Sequence, residues 1–173
     1  NKLGVFNGRD LVSYFPRKYE DRSSFKPIAL TCDGETVCIN ALAAEDARLV
    51  RIRRGLELVK FRVVDESGSV DITFFNQPYI KNNIHRGDCL NIYGKIIGVG
   101  GKRTMTNPVI EREGTVGGVT GRIVPVYRLT TGLSQKLIMS AVRQALDASA
   151  AELPEVLPES LRKKYKLAQT GYA

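Results

Sequence analysis

In the stretch SVDITFFNQPYIKN, residues 69–82, two phenylalanines stand side by side where a strand ends, with Tyr79 and Lys81 close behind. Neighbouring side chains of a strand point to opposite faces, so a half-buried strand buries one of the pair and leaves the other outside. Val70, Ile72 and Phe74 share the apolar face; Asp71, Thr73 and Phe75 share the other. In LELVKFRVVD, residues 56–65, Val59, Phe61 and Val63 match the apolar set, which leaves Lys60 and Arg62 outside with Phe75. An exposed ring among cations suits unpaired bases: the ring stacks for about 1–3 kcal/mol per base while positive charge follows the phosphates. Tyr79 offers a second ring. The competing reading packs Phe75 under a flanking helix or under the Gly-rich stretch 113–121.

Basic residues gather at two further places. ARLVRIRRG, residues 47–55, holds Arg48, Arg51, Arg53 and Arg54 between two strand patterns, and GVGGKR, residues 98–103, holds Lys102 and Arg103. A guanidinium presents a planar fork of donors to phosphate oxygens, and glycines let a backbone approach closely. A charged strand edge that deters aggregation is the alternative. The chain as a whole carries 26 Lys+Arg against 18 Asp+Glu, a net charge of +8. Such a surplus points to a polyanionic partner, nucleic acid before an acidic membrane surface, or else to a solvated basic face.

Catalytic groups are scarce. His85 is the one histidine and reads as a surface residue beside Arg86 and Gly87. Cys32, Cys38 and Cys89 lack CxxC spacing, so neither a disulfide framework nor a zinc site is expected. Each reads as a small, partly buried residue of a reducing, cytoplasmic compartment. GVGGKRT fails as a nucleotide-phosphate loop twice: Ile96 stands where the first glycine belongs, and Arg103 follows the lysine. No cofactor and no enzyme activity are expected of this stretch of chain.

These groups need elements to hold them. Strand patterns run over TVCINALA (36–43), LELVKFRVVD (56–65), SVDITFF (69–75), DCLNIYGKII (88–97) and RTMTNPV (103–109). Between the third and fourth, Pro78 suits a first helical turn, Asn76 or Gln77 a cap, and Ile80 with Ile84 an i, i+4 apolar pair. Five short strands with one small helix between the third and fourth is the order of a five-stranded OB-fold Greek-key barrel. The two basic segments then fall in the two loops that such barrels use to hold nucleic acid. Before the barrel, Asn7 caps a short helix with Leu11, Val12, Tyr14 and Phe15 on its apolar face, stopped by Pro16 and followed by a polar connector. After it come a mobile Gly-rich loop, a helix with Leu133, Leu137, Ala141, Val142, Ala145 and Leu146 in one stripe, and a second helix after Pro158. The expected division is 1–35, 36–112 and 113–173: a mainly β barrel with flanking N-terminal and C-terminal helices.

LVSYFPRKYEDRS, FRVVDESGSVDITFFNQPYIK, GDCLNIYGKI, MTNPVIE and PVYRLTTGLSQ, in this order, resemble the N-terminal wedge region of RecG-type ATP-dependent DNA helicases. FPRKYEDRS and PVY…GLSQ are the more specific of these segments. The resemblance implies an OB-fold at the branch point of a stalled replication fork or Holliday junction, splitting strands while a separate motor pumps duplex. It implies base stacking by Phe75 and Tyr79. Arg48, Arg51, Arg53, Arg54, Lys60, Arg62, Lys81, Lys102 and Arg103 are then the candidates for backbone or arm contacts. Branched DNA and the motor domains of the same polypeptide are the implied partners, and ATP and Mg2+ belong to that motor. The chain ends at AQTGYA, which reads as a piece of a longer, monomeric, nucleoid-associated protein. The alternatives are a general single-strand-binding OB module, such as a tRNA anticodon-binding domain, and a protein-interaction domain.

Overall fold

Apolar residues at every second position, interrupted by turn residues, give a set of short strands wound around one core. A computed structural model of the chain describes residues 3–99, 101–115, 118–149, 155 and 157–168. In chain order the elements are α1 (Gly8–Val12), β1 (Lys18–Asp21), β2 (Thr36–Ala43), β3 (Arg48–Arg53), β4 (Leu56–Val64), β5 (Ser69–Phe75), β6 (Cys89–Val99), β7 (Lys102–Thr106), β8 (Val109–Arg112), β9 (Ile123–Val126), α2 (Gln135–Ser149) and α3 (Glu159–Tyr165). Short 3-10 turns occupy Ile28–Leu30 and Pro78–Asn82.

Pairing runs β2–β4–β5–β7–β6 and closes by β6 on β2, with β5 and β7 parallel and the other pairs antiparallel. A five-stranded closed barrel of this order is the OB-fold, as the sequence predicts. Two strands lie beyond the expected five within this sheet. β3 pairs with β4, so the arginine segment is a strand rather than a loop. β8 pairs with β6, because RTMTNPV breaks at Asn107–Pro108 and its last residues change partner. β1 and β9 form a separate two-stranded sheet, so the connector RKYEDRSS is partly strand.

The barrel interior takes one face of each strand. Val59, Phe61 and Val63 meet Val70, Ile72 and Phe74, joined by Ile39, Leu90, Ile92, Ile96 and Met105. The Phe61 and Phe74 rings stack at 6.5 Å, a contact worth about 0.5–1.5 kcal/mol beyond the area it buries. Ile84 and Ile28 are also buried in this core, and Ile80 packs against it. Cys38, on the opposite face of β2, is buried too, and burial pushes its thiol up. Cys32 and Cys89 are exposed rather than partly buried.

The described chain divides into two compact units, Glu20–Val124 and the pair Asn1–Tyr19 with Pro125–Ala173. These limits differ from the linear division expected: helix-to-helix packing joins the two ends of the chain, whereas residues 20–35 group with the barrel. In the helical unit Tyr14 stacks on Tyr127 at 5.9 Å and donates to the Arg128 carbonyl. Gln135 donates to the Tyr127 carbonyl at 2.6 Å and accepts from the Tyr127 N–H, which accounts for two residues of PVY…GLSQ. The buried residues of α2 are Ile138 and Val142, with Met139 beside them; Leu137 and Leu146, expected in the stripe, are exposed. Tyr127, Leu11 and Tyr14 select the Ile138 side, and periodicity alone does not choose between adjacent stripes. Asn7 caps α1 through the Asp10 N–H as expected, but Phe15 is exposed. In the Gly-rich stretch, Val116 and Gly117 lie outside the described residues. Val119 and Thr120 donate their N–H groups to the Glu111 carboxylate at 2.8–2.9 Å.

Candidate nucleic-acid interface

Register decides which side chains share the outer face of the barrel. Phe75 lies opposite Leu58, Thr73 opposite Lys60 and Asp71 opposite Arg62, and β3 sets Val50 opposite Leu58 and Arg48 opposite Lys60. Directly opposed residues share a face. The outer face therefore carries an apolar row, Val50–Leu58–Phe75, in which Val50 and Phe75 are exposed and Leu58 is buried, then a polar row, Arg48–Lys60–Thr73, then Arg62–Asp71. Phe74 is 4 % exposed and Phe75 41 %. The paired phenylalanines divide as the period predicts.

Two asparagines in the left-handed region shape the end of β5. Asn76, with φ of 53°, donates its N–H to the Glu57 carbonyl at 2.8 Å and accepts the Glu57 N–H on Oδ1 at 3.0 Å. Its side chain therefore extends the β4–β5 ladder instead of capping the turn; Gln77 does not cap it either. Asn107, with φ of 46°, accepts the Phe75 N–H on Oδ1 at 2.9 Å. The chain then enters the 3-10 turn at Pro78, and Tyr79 stands 61 % exposed with its hydroxyl donating to Gln77 Oε1 at 2.6 Å.

The hairpin joining β3 to β4 arrives at the same place. Gly55, with φ of 81°, supplies the left-handed residue that its two-residue tip requires. Arg51, Ile52, Arg53, Arg54 and Glu57 meet Asn76 and Pro78 around a shallow cleft of about 630 Å³. Arg51 Nε binds Glu57 at 2.8 Å. Glu57 thus fastens the hairpin through its carboxylate and the aromatic turn through its backbone. A second shallow cleft, about 390 Å³, lies along Arg48, Lys60, Asp71 and Thr73.

The cations differ in what they have left to offer. Arg48 pairs with Glu45, and Arg62 pairs with Asp71 at 2.7 Å, a hydrogen bond that holds the Arg62 guanidinium above its ordinary pKa. Arg53, Arg54, Lys60 and Lys81 are exposed and form no ion pair among the described residues. His85 is exposed, with Nδ1 3.8 Å from Asp46.

The family model described as RecG wedge domain matches residues 1–148. The chain belongs to the RecG wedge domain family. It is 31 % identical over 167 residues to the ATP-dependent DNA helicase RecG of Streptococcus pneumoniae serotype 4, covering 96 % of this chain and 24 % of that protein. It is 28 % identical, with the same coverage, to the RecG helicase of Bacillus subtilis strain 168. A solved structure of RecG bound to a three-way DNA junction matches 97 % of this chain and 23 % of its own, with a TM-score of 0.82 and 27 % identity. The chain thus spans about a quarter of the length of the curated relatives it matches.

Within this RecG wedge, the predicted residues do not form one cluster. Lys102 and Arg103 stand at the other end of β5, where Arg103 is in register with Val70. Five residues of strand separate Val70 from Phe75, roughly 16 Å. Arg103 donates to the Ala29 carbonyl at 3.0 Å, whereas Lys102 is exposed and unpaired among the described residues. The residues missed by the sequence reading are those that build the aromatic end: Glu57 and Asn107. Asn107 precedes a proline between two strand patterns, a turn signal that was absorbed into a single strand.

Proposed function

We propose that this wedge binds branched DNA at the point where its strands part, stacking unpaired bases on Phe75 and Tyr79. The reading rests on one observation above all: Phe75 lies on the outer face beside Lys60, with exposed Tyr79 and with Arg53 and Arg54, unpaired among the described residues, around the same turn. Rings give stacking energy without regard to base identity, and cations follow the backbone, which suits a junction of any sequence. Arg53 and Arg54 at the hairpin tip, with Lys60 and Lys81, are the principal phosphate contacts. Arg48, Arg51 and Arg62 contribute through the donors that their carboxylate partners leave free, and Lys102 and Arg103 meet a more distant part of an arm.

The parent protein in this proposal is a cytoplasmic helicase that remodels stalled forks and Holliday junctions. This domain splits the strands, and a motor outside the chain consumes ATP with Mg2+. A competition titration of forked, single-stranded and fully duplex DNA of matched length tests the binding reading. Preference for the fork is expected. Equal affinity for fork and single strand would replace it with general single-strand binding.

A further inference from the structure

Phe75 and Tyr79 are joined by a hydrogen-bonded chain that passes through a residue far away in sequence. Asn107 Oδ1 accepts the Phe75 N–H at 2.9 Å and Gln77 Nε2 at 3.4 Å, and Gln77 Oε1 accepts the Tyr79 hydroxyl at 2.6 Å. The direction of this chain is fixed at one end. A backbone N–H only donates, so Asn107 must present its oxygen to Phe75. Gln77 must then turn its amide nitrogen toward Asn107, and its oxygen is left for Tyr79.

Asn107 is itself a fixed point. Its own N–H donates to the Thr73 carbonyl at 2.9 Å, so it grips β5 on both sides of Phe74. Its φ of 46° lies in the left-handed region, which asparagine tolerates better than most side chains. Pro108 follows and packs on Gly94, where an added Cβ would come within 2.9 Å of the proline ring. The Asn107 backbone therefore ties the corner to β5, and its side chain fixes the Phe75 backbone and, through Gln77, the Tyr79 hydroxyl.

We propose that Asn107 is a positioning residue that locks Phe75 and Tyr79 into a single two-ring platform, which engages unpaired bases as a unit. The inference rests on the stacking reading above. Asn107 does not touch DNA in this scheme. It acts by fixing beforehand the backbone that carries Phe75 and, through Gln77, the hydroxyl of Tyr79, so that less freedom is lost on binding, which is the general benefit of preorganisation.

The test uses forked DNA with 2-aminopurine at the first unpaired base, whose fluorescence is quenched by stacking. Asn107→Gly keeps the left-handed backbone and deletes the oxygen. It is expected to weaken fork binding roughly 2- to 10-fold, the range of a single hydrogen bond, and to reduce quenching at saturating protein. Asn107→Asp restores the acceptor and should restore the quenching, which is read at saturation because the added charge lowers affinity by itself. Tyr79→Phe keeps the ring and cuts the chain at its far end, and should lose part of the quenching in a fully folded protein. In a background of Phe75→Ala with Tyr79→Ala, Asn107→Gly should cost nothing further. Wild-type binding and quenching by Asn107→Gly and Tyr79→Phe, alongside weakened binding by Phe75→Ala, would overturn the positioning role and leave stacking intact. An equal loss from Asn107→Gly with and without the rings would assign it to the fold alone. Unchanged binding by both ring deletions would remove the stacking reading and this one with it.

Discussion

Both ends of β5 carry polar groups, yet at one end they pair with each other and at the other the cations stay open to solvent. At the Ser69 end, Asp65 accepts from the N–H groups of Ile28, Ser67 and Gly68 at 2.7–2.8 Å and from the Ser67 hydroxyl. Ser67 in turn accepts the Ala29 N–H, and Arg103 closes the same segment through the Ala29 carbonyl. Ile28 is fully buried beneath it, and a Cβ on Gly68 would come within 3.0 Å of the Ile28 side chain. At the Phe75 end, the asparagine side chains accept from the Glu57 and Phe75 N–H groups and from the Gln77 amide, while the rings and the Arg53 and Arg54 guanidinium groups face solvent. A buried polar group has to be paired; an exposed cation does not, and is available to a ligand. The difference separates a seam of the fold from a surface for binding.

The largest expected effect bears on the two phenylalanines between which that surface begins. Phe74→Ala should cost about 3–5 kcal/mol of stability in a denaturant titration, as for a core aromatic, whereas Phe75→Ala should leave the midpoint nearly unchanged. Equal costs would mean that Phe75 is core after all. Next, Phe75→Ala and Tyr79→Ala should each weaken fork binding by about 1–3 kcal/mol in an anisotropy titration. Replacing both Lys102 and Arg103 should have the smaller effect on that affinity; the reverse ranking would move the interface to the closed end.

Salt dependence sharpens the contrast further. Neutralising Arg51, Arg53 and Arg54 together should flatten the slope of log affinity against log salt by about 0.7–0.9 for each phosphate that is no longer neutralised. An unchanged slope would show that the hairpin tip does not reach the backbone. At the closed end, Arg103→Ala should cost about 0.5–1.5 kcal/mol of stability, the net value of a typical hydrogen bond, measured by chemical unfolding.

The smallest effect is one of pH. Burial raises the Asp65 carboxyl, but the hydrogen bonds from Ile28, Ser67 and Gly68 outweigh it and hold the group below its ordinary value. A carboxyl lowered in the folded state stabilises it fully above the unfolded value, near 3.9, and loses that contribution as pH falls toward the folded value. Melting temperature followed from pH 6 to pH 2 should therefore fall less steeply in Asp65→Asn than in the parent chain.

The alternation in SVDITFF and LELVKFRVV identified the barrel strands and put Phe74 inside and Phe75 outside, because a period of two leaves no other arrangement once one face is apolar. Proline at 78 marked a turn for an equally local reason. The sequence was silent on β3, whose arginines obscured a strand that alternates Leu49 inward with Val50 outward at the edge of the sheet. It was silent on Asn107 as well. A single asparagine carries no pattern, and its role depends on the parallel pairing of β5 with β7, strands that are distant in sequence. The stripe on α2 shifted to Ile138 for a related reason, since a helix with apolar residues on adjacent rows takes the row that its neighbour fills.

Local periodicity and turn chemistry by themselves determined the kind of barrel and the division of the two phenylalanines, and composition alone the surplus of positive charge. Only the tertiary structure decided which of the cations stand beside the rings. Strand register, closed by contacts distant in sequence, sends the hairpin arginines to the Phe75 end of β5 and Arg103 to the other. It also brings Asn107 to the Phe75 N–H and the Gln77 amide that it holds.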